Sequence, residues 1–181
     1  MHIVDHVRLL ARYNHWMNEK VYAACASLSA EPFWRDRKAF FSSISGTLNH
    51  LLVADILWLK RFNAHPRGYN SLQAMAAMAN PVALDQIMAP SLPEWRAMRA
   101  RVDEVIVAWS AEMREPDLDA VLEYRSLNGE ACENPFGDLV LHLFNHHTHH
   151  RGQVTTLLSQ EGVGVGSTDL LALMRAERLM K

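Results

Sequence analysis

Three histidines carry the chemistry this sequence can do. His146 and His150 stand four residues apart in a segment that reads as helix, and His50 sits in another, within Leu48-Asn49-His50-Leu51-Leu52. Residues four apart on a helix share a face and lie about 6 Å apart along its axis. Two imidazoles so placed can converge on one ion. Two alone bind weakly, so a third ligand must come from another element. His50 meets that need on an apolar face, where an unpartnered ring would be costly. Three imidazoles leave coordination positions open for water or substrate, as catalytic sites do and closed structural sites do not.

Histidine is unusually frequent, with 10 in 181 residues. Five of them fall between His142 and His150. His142 and His146 share the four-residue spacing, which makes His142 the reserve ligand. His147 falls on a different face, and His149 is three residues from His146. Taken alone, His50 reads as a hydrogen-bonded core residue and the histidine-rich helix as solvated surface. The metal reading comes from their combination. His2, His6, His15 and His65 are assigned to the surface or to local hydrogen bonds. Neutral imidazoles suit zinc, nickel, iron or copper better than magnesium or calcium. Zinc is favoured on availability, with nickel next. Such an ion lowers the pKa of a bound water or thiol.

The elements that must position these rings are helical. A first apolar stripe runs from His6 to Leu28, interrupted by the polar Asn14, and Glu31-Pro32 ends it. The second helix starts at Ser42 or Ser43 and closes with Lys60 and Arg61, cations that complement its dipole. Residues 66–90 read as a long crossover with a short helix over 71–79. Ser91-Leu92-Pro93-Glu94 forms a capping box for the third helix, which runs to about Met113. Residues 121–127 are strand-like, and Asn128-Gly129 predicts a hairpin turn. Asn134 as N-cap and Pro135 at the first helical position open the fourth helix, which ends at Glu161-Gly162. Ser167-Thr168-Asp169 caps a short C-terminal helix. The expectation is an all-α four-helix bundle in one domain, residues 1–181, with a long crossover, a small hairpin before helix four and a short C-terminal helix.

At this point the residues resemble a family. His146-x-x-x-His150-Arg151-Gly152-Gln153, preceded by Asn145, is similar to the signature of the DinB/YfiT-like metalloprotein superfamily (unrelated to the DNA polymerase of the same name). Tyr13-Asn14-x-Trp16-x-Asn18 resembles its first helix. Leu48-Asn49-His50-Leu51-Leu52, with Asp55 and Trp58, resembles its second. The Asn128-Gly129 turn and Thr168-Asp169-Leu170-Leu171 also match, so the resemblance spans nearly the whole chain. It implies a four-helix bundle, a homodimer, and one divalent metal held by His50, His146 and His150. It further implies transfer or isomerisation chemistry using a low-molecular-weight thiol on a small-molecule electrophile. A metal-dependent hydrolase and a non-enzymatic, metal-binding stress-response module are the alternatives.

Metal-bound imidazoles usually donate their second nitrogen to an oxygen acceptor. Asp55, Asn14 and Asn145 are candidates for that role, and His142 borders it. Arg151 could bind an anionic substrate group or an acidic partner on a neighbouring helix. Gly152 would permit close helix packing, and Gln153 would pair with a polar group in the bundle.

Composition sets the remaining bounds. Eighteen basic and 20 acidic residues give a formal charge of −2, with no basic stripe for nucleic acid. Cys25 and Cys132 form no CxxC pair and read as reduced thiols. No run approaches the ~18 apolar residues of a membrane span, and the first residues lack the apolar core of a signal peptide. A cytoplasmic protein is expected. Ser42, Ser43 and Ser45 beside Gly46 do not form a nucleophile elbow. Gly162, Gly164 and Gly166 follow a helix, not a strand, so they are not a dinucleotide fingerprint.

Overall fold

The computed structural model describes residues 2–179. Four long helices supply the frame: α1 (Ile3–Cys25), α3 (Ile44–Phe62), α4 (Leu92–Glu112) and α5 (Phe136–Gln160). A short helix α2 (Ala30–Trp34), a two-stranded ribbon β1 (Val121–Arg125) and β2 (Ala131–Pro135), and a last helix α6 (Leu170–Leu179) complete it. Two 3-10 segments, Ser71–Ala77 and Glu115–Asp119, lie in the connections. The bundle closes as a ring in which α1 and α3 each pack against both α4 and α5. None of the described helices is long and apolar enough to cross a membrane.

Each long helix begins for a local reason. The Glu115 carboxylate accepts the Ile3 and Val4 amides at 2.8 and 3.2 Å, supplying an acceptor to the first turn of α1. Ser43 Oγ accepts the Gly46 amide at 2.9 Å and caps α3. Gly46 is required there, because a Cβ would fall 2.0 Å from the Phe41 carbonyl oxygen. Ser91 caps α4, with Pro93 in the first turn as expected.

The inner faces are apolar. Leu48, Leu52, Ile56 and Leu59 of α3 meet Trp95, Val102 and Ile106 of α4, all fully or almost fully buried. Each such side chain contributes about 1.5–3 kcal/mol on burial. Trp95 Nε1 donates to the Leu48 carbonyl at 3.0 Å, so the indole is satisfied inside the core. Phe62, Trp109, Tyr69 and Phe136 close one end as an aromatic cluster.

The expected bundle, crossover, hairpin and C-terminal helix are all present. Four boundaries differ. Helix α1 starts at Ile3 and stops at Cys25, and Pro32 lies in the first turn of α2 rather than ending α1. The crossover helix is a 3-10 segment ending at Ala77. Asn134 does not cap α5: it pairs with Leu122 in the ribbon, Val121 pairs with Pro135, and α5 starts at Phe136. The strand pairing extends up to the helix and displaces the cap. The last two residues of the expected C-terminal helix lie outside the described residues.

Candidate metal centre

His50 lies in the second turn of α3, and His146 and His150 lie midway along α5. The packing of α3 on α5 brings them together. One ligand atom from each ring lies within 4.8 Å of the other two. His50 Nε2 and His146 Nε2 are 3.0 Å apart. These three form the one such group of histidine, cysteine, aspartate and glutamate side chains among the described residues.

The second nitrogens explain why the rings face one another. His50 Nδ1–H donates to the Leu84 carbonyl at 2.8 Å. His150 Nδ1–H donates to Gln153 Oε1 at 2.8 Å. The Gln153 amide nitrogen in turn meets His149 Nε2 at 3.2 Å. Each bond leaves Nε2 as a lone pair directed at the centre. Burial lowers the His50 pKa. Burial, aided by the charge of His150, pushes His146 down to about 3. Burial also takes His150 down to about 4. All three rings are therefore neutral at pH 7, the form that binds metal. The donor set and its protonation state fit one divalent transition ion.

Phe41 packs behind the centre. Its ring stacks on His50 at 3.7 Å between centroids and meets His150 edge-on at 5.5 Å. A turn in which Lys38 and Ser42 adopt left-handed φ values of 57° and 62° folds Phe41 into that place. On the other side lies an open cavity of about 690 Å³. His50 and His146 line it, as do Trp58, Arg61, Tyr124 and His142. His50, Ala54, Leu57, Trp58 and Arg61 are one stripe of α3 at helical spacing, and His142 and His146 are the facing stripe of α5.

The remaining sequence candidates divide. His142 reaches the cavity wall, with its ring 5.9 Å from His146 and 5.3 Å from Trp58. Asn145 is exposed on the outer face of α5 and is not brought to the centre. Asp55 is fully buried but bonds none of the three rings, pairing instead with His147 Nε2 and with Arg99. Burial alone would raise the Asp55 carboxyl; His147 and Arg99 outweigh it and hold the group ionised. Asn14 bonds Asp103 at 2.9 Å and accepts from Arg151, so it too lies away from the rings. Arg151 is buried and donates to this amide oxygen in the core. Gly152 is exposed with open space where a Cβ would stand, so close packing is not its role. The Leu84 carbonyl was not among the candidates, and no sequence signal marks it. Gln153 was foreseen only as a polar pairing, although its three-residue spacing from His150 could have named the partner.

These observations define a class: an all-α bundle protein with a three-histidine cluster capable of holding a metal ion. The chain belongs to the DinB family, which it matches over residues 3–180. It is also similar to Protein DinB of Bacillus subtilis (strain 168), 25% identical over 160 residues that cover 88% of each chain. No solved structure matches it significantly.

Proposed function

We propose that this protein is a metal-dependent enzyme that transfers a low-molecular-weight thiol to a small-molecule electrophile. His50, His146 and His150 hold the ion, with zinc favoured and nickel next. The observation that carries this reading is the cavity beside His50 and His146. A purely structural ion calls for a fourth protein ligand and no cavity. Here three histidines form the group, and open space adjoins two of them.

When bound, the ion supplies Lewis acidity that favours the thiolate over the thiol. The protein's own residues do the rest. Leu84 and Gln153 orient the His50 and His150 rings through their second nitrogens. Phe41 covers the rear and excludes water from it. Trp58 and Tyr124 provide the apolar wall against which an electrophile packs. We extend the reading to a cytoplasmic homodimer, on the family resemblance. Light scattering on the purified protein tests it.

The test is elemental analysis of tag-free protein. His50→Ala, His146→Ala and His150→Ala should each lose most bound metal, whereas His147→Ala should keep it. Full occupancy in the three variants would refute the ligand set. Uniform inactivity of the metal-loaded protein with thiols and electrophiles would return the chain to the binding-module reading.

A further inference from the structure

The cleft beside the metal centre carries an unpaired cation. Arg61 stands on its wall, on the same stripe of α3 as His50. The two lie about 16 Å apart along the helix axis. The guanidinium carbon of Arg61 is 4.8 Å from the Trp58 ring centroid and 5.0 Å from that of Tyr124. Among the described residues its guanidinium makes no hydrogen bond or ion pair, and the ionisable groups near it are Tyr124 and Cys132. The other arginines of the interior have polar partners: Arg37 pairs with Glu161, Arg99 with Asp55 and Asp103, and Arg151 donates to the Asn14 side-chain oxygen. Burial also lowers the Arg61 pKa, a cost that a bound anion would remove.

The surroundings fit an anion. No acidic side chain lines the cavity, although the chain as a whole is net acidic at −2. Two aromatic faces hold the guanidinium and leave its N–H edge unused. Ser126 and Asn128, on the hairpin turn, add neutral donors to the same wall. Such a fork is suited to two parallel bonds with a carboxylate or phosphate.

We infer that Arg61, held against Trp58 and Tyr124, is the anion subsite of the cleft, binding a carboxylate or phosphate group of a small molecule whose other end reaches His50 and His146. The inference rests on the cleft being the ligand side of the metal centre. It sets the ligand's length as well as its charge. The ligand is an elongated anion, long enough to run from one end of the cleft to the other.

Calorimetric titration of the purified protein with succinate and, separately, inorganic phosphate tests this, with succinamide as the uncharged control. At least one anion should bind saturably, and succinamide should not. Arg61→Gln should weaken that binding about tenfold or more, the loss of a charge-assisted bond. Arg61→Lys, which keeps the charge without the fork, should fall between. His50→Ala should retain it. Matching metal content and helical circular dichroism certify each Arg61 variant as folded. The inference is overturned if neither anion binds at tens of millimolar, if Arg61→Gln binds like wild type, or if His50→Ala alone abolishes binding. Glutathione and its diethyl ester, titrated into the zinc-loaded protein, separate the two readings. If neither ester nor acid engages the metal, the thiol proposal fails and the anion subsite stands on the first titration.

Discussion

Gln153 stands between two histidines and settles which nitrogen of His150 is free. Its carbonyl oxygen takes the His150 Nδ1 proton, and its amide end meets His149. Gln153→Leu keeps the volume and removes the acceptor. Metal affinity should fall about tenfold or more, by analogy with other partners of metal-bound imidazoles. Competition against a chromogenic chelator measures it, and unchanged affinity would mean that the ring needs no orienting bond. His147 differs from its neighbours. It is buried on another face and serves Asp55, so His147→Ala should cost about 2–3 kcal/mol in urea unfolding, the worth of a hydrogen bond to a charged group. At this scale much was legible. The four-residue spacing and the isolation of His50 on an apolar face narrowed the cluster to His50, His146 and either His142 or His150. The family resemblance pointed to His150, which the structure brings together with the other two. The acceptors were not legible, because Leu84 contributes a carbonyl that every residue type carries. Only the path of the crossover brings it to His50.

That path is held by Asn49, the residue before His50. Its side-chain oxygen accepts the Met88 and Ala89 amides at 2.9 and 2.8 Å. Its nitrogen donates to the Ala89 and Ser45 carbonyls. Lys60, lower on the same helix, ties down Met78 and Asn80. Helix α3 thus carries the first ligand and also pins the segment that orients it. Asn49→Ala should destabilise the fold by about 2–4 kcal/mol, since two amides lose a buried acceptor. Amide exchange at Met88 and Ala89 should quicken, and metal affinity should drop with it. Preserved exchange protection would show that the crossover is held elsewhere. Helix starts at Ser43 and Ser91 could be read from their side chains, because caps are local. The start of α5 could not. There the strand partner of Pro135 lies fourteen residues upstream, at Val121, and no local pattern reports that pairing.

Across the whole molecule, one polar network crosses the apolar interior. Asn14 and Asn18 of α1 donate to Asp103 of α4; Arg99 of α4 pairs with Asp103 and with Asp55 of α3. His147 of α5 donates to Asp55, and Arg151 of α5 donates to Asn14. Two arginines balance two aspartates once His147 is neutral, and burial holds it so. All four long helices share this network, so breaking it should loosen the bundle as a unit. The sequence showed Asn14 as a break in an apolar stripe, but not that its partners lay on two other helices. The metal-free protein should also be acid-sensitive. His146 and His150 have folded-state values of about 3 and about 4, below the usual 6.5 of the unfolded chain. As pH falls through 6.5 the unfolded chain takes up protons first. Stability is therefore full above about 6.5 and declines progressively toward pH 4. Thermal unfolding of the chelated protein between pH 7 and 4.5 measures this, and a flat profile would mean that the rings are protonated in the fold.

Trp58 lies against Arg61 on one side and the His142 ring on the other, on the wall of the cleft. Its indole is therefore a native optical probe. Loading the protein with paramagnetic cobalt or copper in place of zinc should quench its emission, and Trp58→Phe should remove most of that response. The occupancy of the cleft can be followed by light alone, without attaching a dye.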